Sequence, residues 1–140
     1  MAAIIHFIGK LNRMGDSSID PKWEELIESH CKKLTIDTSW FVNIENYNSS
    51  TKPSFIVWRA CKFSSEDRQQ LNAKILWASI PVVVFSYAEK SGTPIIYERA
   101  RKISFANNAS AFFTLTSDYK NFLTQLKKIN VILKLGWSFG

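Results

Sequence analysis

The sequence predicts an α+β domain: a mainly antiparallel sheet with helices on one face. Three observations predict it. Short apolar or alternating runs of strand length recur along the chain, each bounded by Gly, Pro, Asn or Ser. Between them lie three stretches with apolar residues at helical spacing, each with a start signal. The composition, 46% hydrophobic and 14% aromatic with 5 Gly and 4 Pro in 140 residues, supplies a core and excludes collagen-like, low-complexity and disordered classes. With no repeat and no linker-like tract, a single domain over 1–140 is the simplest organisation.

The first strand is Ala3 to Gly9, short, apolar and closed by Gly9, and a polar loop from Asn12 to Ser18 follows. Asp20 then caps a helix that opens on Pro21, because a carboxylate accepts from free first-turn N–H groups and proline has none to lose. Trp23, Leu26, Ile27, His30, Cys31 and Leu34 recur at helical spacing and predict an amphipathic helix over 21–34. Its early Glu24, Glu25 and Glu28 and late Lys32 and Lys33 complement the helix dipole.

Trp40, Val42 and Ile44 alternate with Phe41, Asn43 and Glu45 as in a half-buried strand. Turn residues fill Asn46 to Pro53, and Phe55 to Phe63 is the returning strand of a hairpin. Ser64 or Ser65 caps a second helix with Leu71, Ile75 and Ala78 on its core face, stopped by Pro81. The β-branched run Val82 to Tyr87 suits a central strand buried on both faces.

A turn at Ser91-Gly92-Thr93-Pro94 leads into a strand from Ile95 to Ile103, and a further strand covers Ala111 to Thr116. Thr116 or Ser117 caps a last helix carrying Tyr119, Phe122, Leu123, Leu126 and Ile129 on one face. The tail from Val131 to Phe139 reads equally as a last strand or as irregular chain. The first six elements follow the ferredoxin-like, split βαβ order, extended by two strands and a C-terminal helix.

Charge is distributed unevenly. Residues 1–70 hold nine basic and nine acidic side chains, whereas 71–140 hold nine basic against Glu89, Glu98 and Asp118, so the whole +6 lies in the second half. A one-sided positive field attracts polyanions. The N-terminus lacks a basic n-region with an apolar stretch of signal-peptide length, so a cytoplasmic or nuclear location is expected. No apolar run approaches the ~20 residues that span a bilayer, and no membrane partner is expected. Cys31 and Cys61, without a CxxC, are expected as reduced thiols.

The chemistry-bearing residues do not form a catalytic pattern. Only His6 and His30 are available as imidazoles, and no GxSxG elbow, phosphate-binding glycine loop or metal-ligand spacing occurs. No cofactor, metal or catalytic residue is expected. A metal-dependent nuclease, the remaining enzymatic alternative, would need Glu98 to converge with Glu89 or Asp118.

A nucleic-acid-binding module, for RNA rather than DNA, fits the basic half better. On the expected strand Ile95–Ile103, Tyr97, Arg99 and Arg101 take alternate positions on one face, with Lys102 beside them. An aromatic with two guanidiniums there offers stacking and phosphate forks. Lys120, Lys127 and Lys128 on the last helix extend the surface if helix and strand face the same way.

Two further segments, His6-Phe7-Ile8-Gly9-Lys10-Leu11 and Phe55-Ile56-Val57-Trp58, resemble the strand motifs of the RNA recognition motif over about ten residues. The resemblance implies base stacking on Phe7, with Trp58 as a second stacking residue. Lys10 stands where that motif carries Asn, and Lys52-Pro53-Ser54 lacks its glycine and first aromatic.

The competing reading is a protein-interaction module, with Trp58, Trp77 and Trp137 as an aromatic patch and a homodimer as one possible assembly.

Overall fold

The computed structural model describes residues 3–9, 22–48, 50–75, 79–88, 94–114 and 119–139. In chain order it contains β1 (Ala3–Ile8), α1 (Trp23–Lys33), β2 (Ile36–Phe41), a 3₁₀ turn (Ile44–Asn46), β3 (Phe55–Ala60), α2 (Ser65–Lys74), β4 (Val82–Ser86), α3 (Pro94–Ala106), β5 (Ala111–Thr114) and α4 (Tyr119–Ile132). The five strands form one sheet in the order β2-β1-β3-β4-β5, and every pairing is parallel. This is the 2-1-3-4-5 order of flavodoxin-like doubly wound sheets.

The expected antiparallel, ferredoxin-like sheet is therefore overturned. β2 and β3 are not a hairpin: β1 lies between them, with Ile5 paired to Thr38 on one side and to Phe55 on the other. The chain returns from β2 to β3 through the 3₁₀ turn, which seats Ile44 and Tyr47 in the core where other crossovers place a helix. The expected strand Ile95–Ile103 is the body of α3, the crossover that carries β4 to its parallel neighbour β5. Nor do the helices share one face.

Packing makes the two-sided layering explicit. On one side Ile5, Phe7, Phe55, Val57, Val83, Phe85 and Ala111 pack against Trp23, Ile27 and Cys31 of α1 and Phe122, Leu126 and Ile129 of α4. On the other, Ile8, Ile56, Trp58, Val82 and Val84 meet Ile44, Tyr47, Phe63 and Leu71. α3 joins this second side through Ser104, whose Oγ accepts from the Phe63 N–H at 3.0 Å and donates to the Ala100 carbonyl at 2.7 Å. Alternate residues of β1, β3 and β4 thus face apolar layers on opposite sides, which explains their near-continuous apolar runs.

Local signals place the helix ends. Ser64 and Asp67 form a reciprocal capping box at the start of α2, and α2 ends at Lys74 before Ile75 turns extended. α1 starts at Trp23, with Lys22 at the N-cap position and no side-chain cap bond. The expected cap Asp20 and Pro21 lie outside the described residues, as do the loop 12–18, the turn 91–93 and the expected caps at 116–117. The tail resolves as irregular chain past α4, pinned where Asn130 accepts from the Trp137 N–H and donates to its carbonyl, both at 2.9 Å.

Candidate functional site

The C-terminal ends of β1 and β3, where strand order reverses, are the usual ligand mouth of such sheets. Among the described residues, side chains of the chain itself occupy that mouth. Arg59 is 3% exposed; its Nη1 donates to Glu24 Oε1 at 3.0 Å and its Nη2 to the Gly9 carbonyl. The guanidinium lies 5.0 Å from the Trp40 ring centre and 5.9 Å from that of Trp23. Burial lowers the Arg59 pKa and Glu24 partly offsets it, so this cation ties β1, β3, α1 and β2 together at a desolvation cost. Gly9 has φ +110°, and a Cβ there would collide with the Arg59 carbonyl oxygen, so only glycine ends β1 in this way.

The one buried imidazole is also committed. His6 Nδ1 and Tyr47 Oη share a hydrogen bond of 2.8 Å, edge-on to Phe41. Burial pulls His6 down to about 4 and pushes Tyr47 up to about 12, so both are neutral at physiological pH. Cys31 is buried and raised to about 12, chiefly by burial and then by Glu28; both cysteines are free thiols. Among the described residues no three His, Cys, Asp or Glu side chains converge as a metal site. Glu98 instead accepts from Arg101 Nη2 at 3.1 Å, while Glu89 and Asp118 lie outside the described residues.

The expected binding residues are divided by the fold. Tyr97, Arg99, Arg101 and Lys102 all sit on α3, where a helical repeat replaces strand alternation and separates them around the axis. Tyr97 turns inward and its ring packs edge-on against Phe112 at 5.5 Å. Arg101 pairs with Glu98 and lies 5.9 Å from the Phe105 ring centre, while Arg99 and Lys102 are exposed. Lys127 and Lys128 are exposed on α4, which packs on the opposite layer of the sheet from α3. The side chain of Lys120 lies outside the described residues. One continuous surface containing both groups therefore does not form.

The two residues carried by the RNA-motif resemblance are enclosed. Phe7 is buried and stacked on Trp40 with ring centres 3.9 Å apart and planes within 7°. Trp58 is buried, with its Nε1 donating to the Lys62 carbonyl at 3.2 Å. Of the expected aromatic patch, Trp58 is thus buried and half-buried Trp137 packs against Phe55 at 5.8 Å, while Trp77 lies outside the described residues.

α3 also exposes large apolar side chains. Ile95 is 72% exposed, Ile96 51% and Phe105 41%, on the same helix as exposed Arg99 and Lys102. Its buried side is made of small residues, Ala100 and Ser104. Pro94, Ile95, Glu98, Arg99, Lys102 and Ile103 line a shallow groove of about 480 Å³ along it. Sequence reasoning singled out the cations but missed the isoleucines and Phe105. The available signal was Pro94 followed by Glu, Arg, Ala, Arg and Lys, a helix-forming run behind an N1 proline. Among the described residues no helix is long and apolar enough to cross a membrane. No protein-family model matches the chain, and no curated protein matches it at a significant level.

Proposed function

We propose that the chain is a non-enzymatic interaction module that takes a partner protein on the outward face of α3. One observation carries this reading: Ile95 and Phe105 are exposed on the side of α3 that also presents Arg99 and Lys102. Exposed apolar side chains rimmed by charge mark contact surfaces, and arginine is enriched at them. The inner side of α3, built on Ala100 and Ser104, would fold equally well with a polar outer face, so core packing does not account for the isoleucines.

A second reading, RNA binding by the same helix, draws support from the placement of all +6 charge in residues 71–140. An RNA strand on α3 would meet Arg99, Arg101 and Lys102 beside the Phe105 ring, with Tyr97 turned away. Contact with the α4 lysines would require the other side of the molecule.

Site-specific photo-crosslinking in cells that express the chain separates these readings. A photoreactive residue at Lys102, compared with one at Lys128, is expected to give a protein adduct only from position 102. Irradiation of lysate at ~0.5 M salt, where surface charges are screened within a few ångströms, should still yield that adduct, and Ile95→Asp should abolish it. An adduct that ribonuclease digests and that no longer forms at ~0.5 M salt would replace this reading with the RNA one. Equal labelling from both positions would show that α3 is not the contact surface.

A further inference from the structure

The exposed face of α3 carries a pattern that identifies its occupant more closely, resting on the reading of that face as a contact surface. At 100° per residue, Ile95, Glu98, Lys102 and Phe105 fall within an arc of about 80° on the solvent side, opposite buried Ala100 and Ser104. They are spaced three, four and three residues apart, in the order apolar, acid, base, apolar. Read from the other end, the spacing is the same, the apolar positions remain apolar, and acid and base exchange places. Such a palindrome is what a two-fold, isologous contact requires, because each residue must find its complement on an identical surface run backwards.

We propose that α3 is a homodimer interface in which two copies of the helix pack antiparallel about a two-fold axis near position 100. That axis sets Ile95 against the partner copy's Phe105 and Glu98 against the partner copy's Lys102, and each pairing occurs twice. Glu98 is poised for this role: one carboxylate oxygen accepts from Arg101 of its own helix, and the side chain is still 48% exposed. Arg99 and Arg101 flank the contact at its rim. A second copy matches this face better than a uniformly acidic partner, which would leave Glu98 opposite a like charge.

A 13-residue helix is about 20 Å long, so the contact is smaller than a standard stable interface. Each copy also carries +6. The dimer is accordingly transient and forms at high micromolar concentration.

Sedimentation velocity of the full chain from ~10 µM to ~1 mM tests the proposal directly, since weak contacts dissociate across that range. The expected result is a concentration-dependent shift from monomer towards dimer. Ile95→Asp should abolish it, and Glu98→Lys or Lys102→Glu alone should weaken association by about tenfold or more, because each places like charges opposite one another. The double variant Glu98→Lys with Lys102→Glu exchanges acid and base and should restore association to near wild type. All three substituted positions are exposed, and circular dichroism of each of the four variants checks that it folds. A wild-type chain that stays monomeric to ~1 mM would overturn the proposal, as would a double variant no better than the singles. Either failure leaves the crosslinking test of α3 as a contact surface to be decided on its own.

Discussion

His6 and Tyr47 show how a residue with catalytic potential is spent on structure. β1 brings His6 to the second side of the sheet, and the 3₁₀ turn after β2 brings Tyr47 over it. Because the folded chain holds the imidazole near 4 and the unfolded chain near 6.5, the unfolded state binds an extra proton between those values. Stability is therefore fully present above pH 6.5 and is lost as pH falls towards 4. Between pH 7 and 5 this amounts to about 2 kcal/mol, measurable as a lower urea midpoint. His6→Gln, which keeps a polar partner for Tyr47, should flatten that dependence; an unchanged slope would place the titration elsewhere. The sequence places His6 in an apolar first strand but gives no sign of its partner, which lies 41 residues away across a crossover.

The elements divide by how local their signals are. α1 and α4 are legible because large apolar residues recur at helical spacing on their buried faces, whereas α2, with Leu71 as its one buried residue, is legible from its Ser64 cap and acidic first turn and ends before the expected Ile75. α3 was read as a strand because its buried face is small: Ala100 and Ser104 leave no apolar period, while Tyr97, Arg99 and Arg101 happen to alternate. That small face allows close approach, and Ser104 serves as an adaptor by accepting from the Phe63 N–H at 3.0 Å. Ser104→Ala strands this buried donor and should cost about 1–3 kcal/mol in urea unfolding. A loss below about 0.5 kcal/mol would mean that the N–H finds another acceptor. Just past the same C-terminal end of α3, Arg68 of α2 donates to the Asn107 and Asn108 carbonyls, so this end of α3 is tied to the start of α2 by both sets of hydrogen bonds.

At the scale of the whole molecule, parallel pairing decides what the chain can present. Strand β1 inserts between β2 and β3, an arrangement with no local signature in a loop of turn residues. The sequence carries one sign of it, the doubly apolar character of Ala3–Ile8 and Phe55–Ala60, which a sheet covered on one face does not require. Once helices cover both sides, the basic half no longer forms one surface: α3 carries its cations on one side and α4 carries Lys127 and Lys128 on the other. The candidate site was thus half legible. Its charges were visible in the sequence, whereas their grouping and the exposed isoleucines depended on topology.

The central claim is that molecular contacts are made by the outward face of α3. Amide ¹H–¹⁵N spectra of the chain, recorded over ~10 µM to ~1 mM and then with single-stranded RNA added at physiological salt, test it most directly. Shifts that grow with chain concentration and cluster between Ile95 and Phe105 are expected, with little further change on adding RNA. Silent α3 amides throughout, with Lys127 and Lys128 moving as RNA is added, would contradict it.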